Sequence, residues 1–219
     1  MTKRPGVLVS DFDGTITGED FFRIATERFA PSGMEEYWGG YLSGRCTHFE
    51  ALRGIFGTIR ASEAELLEAV AQLRPEPELA AWVDRLHEAG WDVVVASAGC
   101  GWYIERVLAG LGLEVHCNPG RFSEAEGLVM ELPIRSPYFS PTHGIDKAAV
   151  VRAAQAEGRT VAFAGDGFPD APAARLVPEH LRFARADLAE ALRREGLPFR
   201  PFGTWGEVAR LLCAESPGG

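Results

Sequence analysis

No apolar run in this 219-residue chain approaches the roughly 20 residues that a membrane-spanning helix requires. The N-terminal stretch "MTKRPGVLVSDFDG" starts basic, but its apolar part is too short for a secretory signal. Positive charge is in deficit, with 22 Lys and Arg against 31 Asp and Glu and a net charge of −9. That balance argues against a nucleic-acid binder, which would show a basic face. It leaves room for a small anion at a locally positive site. Cysteine is sparse: Cys46, Cys100, Cys117 and Cys213 form no CxxC and no framework spacing. They are expected to be the reduced thiols of a cytoplasmic protein. The five histidines lack ligand spacing, and His143, although close to Lys147, is read as lying outside any site. There is no internal repeat, and only the "SPGG" end is of low complexity. What remains is ordinary for a globular chain, with 46% hydrophobic and 24% charged residues. The length suits one domain, or one domain with a modest insertion.

Along the chain, two rhythms alternate. "GVLVS" reads as a short buried strand stopped by Asp-x-Asp-Gly. From Thr17 to Gln72 no strand signal appears. "EDFFRIATERFAP" places Phe21, Phe22, Ile24, Ala25 and Phe29 mostly on one helical face before Pro31. "THFEALRGIFGTI" and "SEAELLEAVAQL" each open with a capping box, Thr47 with Glu50 and Ser62 with Glu65. The second carries an apolar stripe of Leu66, Leu67, Val70 and Leu73. Beyond this block helices and strands alternate: "PELAAWVDRLHEAG", "WDVVVASAG", "WYIERVLAGLG", "LEVHCN", then a hairpin or irregular excursion between Asn118 and His143. "DKAAVVRAAQAEG", "TVAFAGDG", "LRFAR" and two helical pieces, Leu188–Glu195 and Trp205–Cys213, complete the chain. Such alternation implies an α/β fold with a Rossmann-like parallel sheet covered on both faces. The expected division is a core of residues 1–16 and 77–219 with a helical insertion at 17–76.

In open parallel sheets ligands bind beyond the carboxyl ends of the strands. Asp11 and Asp13 follow the first strand, Ser97, Ala98 and Gly99 the second, and Gly165, Asp166 and Gly167 a third. Asp170 lies four residues past Asp166, and Lys147 starts the helix before that strand. Four carboxylates against one ammonium do not sit together without a divalent cation. Oxygen ligands with no His or Cys nearby select a hard ion, Mg²⁺. The Ser97 hydroxyl, the Lys147 ammonium and main-chain N–H groups at Ala98 and its glycine neighbour suit phosphate oxygens. Metal, phosphate grip and a free carboxylate point to phosphoryl transfer onto an aspartate.

These motifs, "DFDGTIT", Ser97 after a buried strand, Lys147 and "GDGFPD", resemble in type and order the four motifs of the haloacid dehalogenase superfamily of phosphatases. The resemblance spans Asp11 to Asp170. It implies Asp11 as nucleophile and Asp13 as general acid, then base. Mg²⁺ would be held by the Asp11 and Asp166 carboxylates and the Asp13 main-chain carbonyl, with Asp170 supporting. Ser97, Ala98 and Lys147 would bind phosphate. An insertion straight after the first motif resembles the helical cap of the phosphoserine-phosphatase-like branch, and "FEALR" its arginine-bearing helix. Glu19, Asp20 and Arg53 would then be the cap residues facing the substrate, while Phe21, Phe22, Trp38 and Phe56 are read as cap core. "ERFAP", "LRGIFGTI", "HCN" and "FARADLAEALRREGLPFRPFGTW" are similar to methionine-salvage phosphatases acting on 2-hydroxy-3-keto-5-methylthiopentenyl-1-phosphate. Here "RSPYFSPTHGIDK" stands where some of those proteins carry cysteines. The implied partner is a small phosphorylated metabolite. Phosphoserine hydrolysis, phosphotransfer to an alcohol and a non-catalytic phosphate-binding module are the alternatives.

Overall fold

Val7, Leu8 and Val9 are the fully buried middle of the first strand, β1 (Gly6–Ser10), because β1 has a parallel neighbour on each side. The computed structural model describes residues 3–215 and Pro217. After β1 come four helices, α1 (Phe21–Phe29), α2 (Met34–Leu42), α3 (His48–Gly57) and α4 (Glu63–Ala71), then α5 (Leu79–Glu88). The strand β2 (Trp91–Cys100), the helix α6 (Gly101–Val107) and β3 (Glu114–Asn118) follow. Two small antiparallel pairs come next, β4 (Gly120–Ser123) with β5 (Gly127–Met130), and β6 (Phe139–Ser140) with β7 (Gly144–Ile145). The chain closes with α7 (Lys147–Ala156), β8 (Thr160–Gly165), α8 (Ala171–Ala174), β9 (Arg182–Ala184), α9 (Ala186–Arg194), β10 (Arg200–Pro201) and α10 (Trp205–Cys213).

Six strands form one sheet in the order β10-β9-β8-β1-β2-β3, with every pairing parallel. Side chains alternate across it with the strand period of two. Leu8, Val93, Val95, Ala162 and Ala164 enter one apolar cluster, and Val7, Val9, Val94, Ala96, Val161 and Phe163 the other. Each fully buried Leu, Val or Phe contributes about 1.5–3 kcal/mol, which explains why these strands read as continuous apolar runs. The register brings Ser10 beside Val95 and Ala164, so β1, β2 and β8 deliver their following loops to the same edge. Two large anchors hold the C-terminal helix to the sheet. The Trp205 indole donates to Ser10 Oγ (3.0 Å), and that of Trp91 to the Leu212 carbonyl (3.1 Å).

Both expected capping boxes are formed, at α3 and α4. The helix α2 escapes the sequence pattern, since "MEEYWGGYL" has two glycines and only Gly40 is buried. Leu67 leaves the α4 stripe and is 44% exposed, because α4 turns Leu66, Ala69 and Val70 inward instead. The two-residue β10 is also too short to carry a pattern. Helices α1, α3 and α4 join the cluster on one face of the sheet through Phe21, Phe49, Phe56 and Leu66, and α2 packs against it through Met34, Tyr37 and Trp38. The chain enters and leaves this block side by side: Gly18 N–H donates to the Arg74 carbonyl (2.9 Å) and Glu76 N–H to that of Ile16 (2.9 Å). The excursion after β3 is a hairpin, and β5 packs on α3. Gly127 (φ +73°) sits where a Cβ would fall 2.8 Å from the Phe56 carbonyl oxygen, so only glycine fits. All four cysteines are free thiols. Among the described residues no helix is long and apolar enough to cross a membrane.

Candidate active site

Asp11 stands at the end of β1, almost fully buried, with its backbone N–H bonded to the Ala164 carbonyl of β8 (2.9 Å). One carboxylate oxygen, Oδ1, accepts from Phe12 N–H (2.7 Å) and lies 2.7 Å from Lys147 Nζ. With Oδ1 so engaged, Oδ2 is the atom left for chemistry. Lys147 is the first residue of α7 and only 6% exposed; its ammonium also donates to Asp170 Oδ1 (2.5 Å). The second Asp170 oxygen accepts from the backbone N–H groups of Asp166 and Gly167 (3.0 Å each). Asp170 therefore pins the loop after β8 and holds Lys147 against Asp11. Asp166 accepts from the Thr15 hydroxyl (3.1 Å) and lies over Gly14, where a Cβ would approach its Oδ2 to 2.2 Å. Gly14 also has φ +66°, so glycine after the Asp-x-Asp pair is a requirement of the turn.

Oxygens of Asp11, Asp166 and Asp170 lie within 4.8 Å of one another. Burial and the Asp170 charge push Asp11 well above the carboxylate range, and Asp166 up to about 7. Burial alone would lower the Lys147 ammonium, but Asp11 and Asp170 outweigh it and raise it. One ammonium thus leaves this group of carboxylates short of positive charge. An all-oxygen donor set with unmet negative charge fits a hard divalent cation such as Mg²⁺. Asp13 is not in this set. Its Oδ1 accepts from Phe21 N–H (3.1 Å) and its Oδ2 from the Tyr103 hydroxyl (2.7 Å). Burial, then the nearby Asp20 charge, push Asp13 up to about 8, so it keeps its proton at neutral pH.

Ser97 is buried, and its Oγ accepts from Gly99 N–H (2.9 Å), a local turn within the end of β2 where the pairing with β3 skips from Ala96 to Cys100. Gly99 has no room for a side chain: a Cβ would fall 2.7 Å from Asp13 Oδ2. The structure therefore brings Asp11, Asp13, Ser97, Ala98, Lys147, Asp166 and Asp170 to one edge of the sheet. It does not do the same for Glu19 and Arg53, two of the three residues expected to face the substrate. Glu19 is held in ion pairs by Arg23 and Arg74. Arg53 is exposed over the Phe49 ring and lines a groove with Tyr37, Cys46, Glu50 and Thr58, in which no rim carboxylate takes part. Its neighbour in the sequence reading, Asp20, caps α1 through Phe22 N–H (2.7 Å) and is the acidic residue whose charge reaches Asp13 and Asp166.

Two residues of the site have no signal in the sequence pattern. Tyr103 sits in the first turn of α6 and resembles any core aromatic; burial and Asp13 hold its hydroxyl well above 10, so it remains a donor. Asn118 ends β3 fully buried, donating to the Ala98 carbonyl (2.7 Å) and the His143 carbonyl (3.0 Å). A buried amide at a strand end was the one available sign.

The chain belongs to the haloacid dehalogenase-like hydrolase family, whose profile matches residues 8–175. It is 26% identical over 214 residues to a 2-hydroxy-3-keto-5-methylthiopentenyl-1-phosphate phosphatase of Brevibacillus brevis, covering 94% of each protein. It is 27% identical over 218 residues to the bifunctional enzyme MtnB/MtnX of Bacillus licheniformis, spanning 95% of this chain but about half (49%) of that relative. Its fold is similar to the crystal structure of phosphoserine phosphatase from T. onnurineus, with a TM-score of 0.65, 21% identity and coverage of 96% and 95%. The resemblance to the haloacid dehalogenase superfamily read from the motifs is thereby borne out.

Proposed function

We propose that the protein is a Mg²⁺-dependent phosphatase that hydrolyses a small-metabolite phosphomonoester through an aspartyl phosphate on Asp11. The family and the phosphatase-named relatives make it a phosphoric monoester hydrolase. The observation that carries the mechanism is the Asp11 carboxylate itself, with Oδ1 fixed by Phe12 N–H and Lys147 and Oδ2 left free. Oδ2 attacks phosphorus while the Ser97 hydroxyl, the main chain at Ala98 and Lys147 hold the phosphate oxygens. The departing alkoxide takes the proton of Asp13, which is available because the carboxyl titrates near 8. Water then attacks the aspartyl phosphate, returns its proton to Asp13 and releases inorganic phosphate. Mg²⁺ held by Asp11, Asp166 and the Asp13 carbonyl, with Asp170 behind, would offset the charge on the ester oxygens.

The helices of residues 17–76 act as the cap over this rim, and the substrate is 2-hydroxy-3-keto-5-methylthiopentenyl-1-phosphate in a cytoplasmic salvage pathway. Support comes from relatives matched over nearly their full length. The test is hydrolysis of p-nitrophenyl phosphate with Mg²⁺ and with EDTA, followed by a panel of phosphorylated metabolites. The methylthiopentenyl ester should show the highest kcat/KM, and EDTA should abolish turnover of every ester. A preference for phosphoserine would overturn the substrate, and activity in EDTA would overturn the metal.

A further inference from the structure

A cluster of half-buried rings between the helical block and the rim has no part in the chemistry above. Trp38 stacks on Phe22 (centroids 4.5 Å, planes 28° apart) and meets Tyr41 at 5.2 Å. Both Trp38 and Tyr41 meet His48 edge to face, at 6.1 and 5.2 Å. The His48 ring in turn lies 5.4 Å from that of His143. His48 opens α3, whereas His143 lies in the β6–β7 turn, three residues before Asp146 caps the Lys147 helix.

Main-chain bonds fix this pair relative to the phosphate turn. Phe49 N–H donates to the Thr142 carbonyl (2.9 Å), tying the residue after His48 to the residue before His143. From the other side Asn118 joins the His143 carbonyl to that of Ala98. The backbone that carries the two imidazoles is therefore tied to the backbone of Ala98, next to Ser97. Burial, then His143 and Lys147, hold His48 down at about 3, so its ring is neutral, and burial with Lys147 lowers His143.

The tautomer of His48 follows from its surroundings. Nδ1 is buried without a hydrogen-bond partner among the described residues. An N–H closed off from any acceptor is worse placed than a bare lone pair, so the proton belongs on Nε2. Nε2 makes no hydrogen bond among the described residues and is not closed off as Nδ1 is. A neutral donor beside the Trp38 and Tyr41 rings matches an uncharged oxygen function on an apolar tail better than a second charged group.

We propose that His48 and His143 form the specificity subsite for the uncharged, oxygen-bearing part of the substrate beside its phosphate. Trp38 and Tyr41 pack against the apolar remainder. The inference rests on the phosphatase reading and deepens it: the preferred esters carry a carbonyl, enol or hydroxyl group near the phosphate, and a bare alkyl phosphate lacks the group these residues recognise. His48→Phe keeps a ring and removes both nitrogens, whereas His48→Gln keeps a polar end near the place of Nε2.

The experiment compares kcat and KM of wild type, His48→Phe and His48→Gln on the methylthiopentenyl ester and on p-nitrophenyl phosphate, with Mg²⁺ present. In His48→Phe the ratio of kcat/KM between the two esters should fall by about 30-fold, carried mainly by KM, as expected for a lost hydrogen bond to a buried group. His48→Gln should recover most of that ratio. An unchanged ratio in His48→Phe overturns the subsite, whether activity is retained or lost equally on both esters. If His48→Phe does not fold, His143→Phe is read by the same ratio. A wild type that hydrolyses dihydroxyacetone phosphate but not the methylthiopentenyl ester overturns the substrate, and the ratio measured on that ketose ester then decides the subsite separately.

Discussion

Replacing Lys147 with methionine keeps most of the side chain's length and removes the charge that joins two elements of the site. The ammonium lies 2.7 Å from Asp11 Oδ1 and 2.5 Å from Asp170 Oδ1, and the side chain is 6% exposed. At an effective dielectric of about 20, each attraction is about 6 kcal/mol when its carboxylate is ionised, an upper bound for Asp11, whose charged form burial disfavours. Against them stands the cost of burying the ammonium, several kcal/mol, so the pair is not worth its Coulomb sum. Lys147→Met removes both attractions yet leaves the carboxylates buried, which places the loss of unfolding free energy at about 3–5 kcal/mol. Removing Asp170's charge as well, in Lys147→Met/Asp170→Asn, should add less than the Asp170→Asn loss alone, with a coupling of about 1–3 kcal/mol. The assay is urea unfolding in EDTA, followed by tryptophan fluorescence. Turnover should fall by about 10²–10³-fold in the single variant, since a donor to the transferring phosphate is lost. An unfolding free energy within about 1 kcal/mol of wild type, or strict additivity in the double variant, would refute this reasoning.

Asp166→Asn keeps the shape of a ligand and removes its charge, so half-saturating Mg²⁺ should rise at least about tenfold; an unchanged Mg²⁺ dependence contradicts the ligand role. In EDTA, Asp166 titrates near 7 when folded and near 4 when unfolded. The native state then holds the extra proton, and stability falls as pH rises through that window, by up to about 1.4 kcal/mol per pH unit. Wild type should therefore lose stability relative to Asp166→Asn between pH 5 and 7 in EDTA and recover it in Mg²⁺; the opposite slope would contradict the burial. Tyr103→Phe removes a donor to ionised Asp13, so the acid's pKa should rise further in the pH–rate profile of kcat, and alkyl phosphates should suffer more than p-nitrophenyl phosphate. Equal losses with an unmoved profile would make Tyr103 a packing residue.

The site was legible where chemistry and local pattern coincide. Asp11, Asp166 and the Ser97 turn each follow a run of β-branched or small apolar residues, so a parallel sheet carries them to one edge whatever lies between. The capping boxes at Thr47 and Ser62 mark helix starts by hydrogen bonds between near neighbours, which a sequence displays directly. Helix α2 was not legible, because its glycines and half-buried rings acquire their meaning only against α1 and α3. Nor were Tyr103 and Asn118, whose partners lie 90 residues away at Asp13 and 20 and 25 away at Ala98 and His143. The surroundings of Glu19 were out of reach for a related reason: the arginines that pair with it include Arg74, brought alongside by the antiparallel exit of the helical block.

The central claim is that Asp11 takes the phosphoryl group while Asp13 moves the proton. Rapid quench of the Mg²⁺-loaded enzyme with ³²P-labelled p-nitrophenyl phosphate, followed by peptide mapping, tests it directly. Label should appear on the tryptic peptide of residues 4–23 at Asp11, persist longer in Asp13→Asn because water attack is unassisted, and vanish in Asp11→Asn. Label on Ser97, or a robust phosphoenzyme in Asp11→Asn, would contradict the assignment.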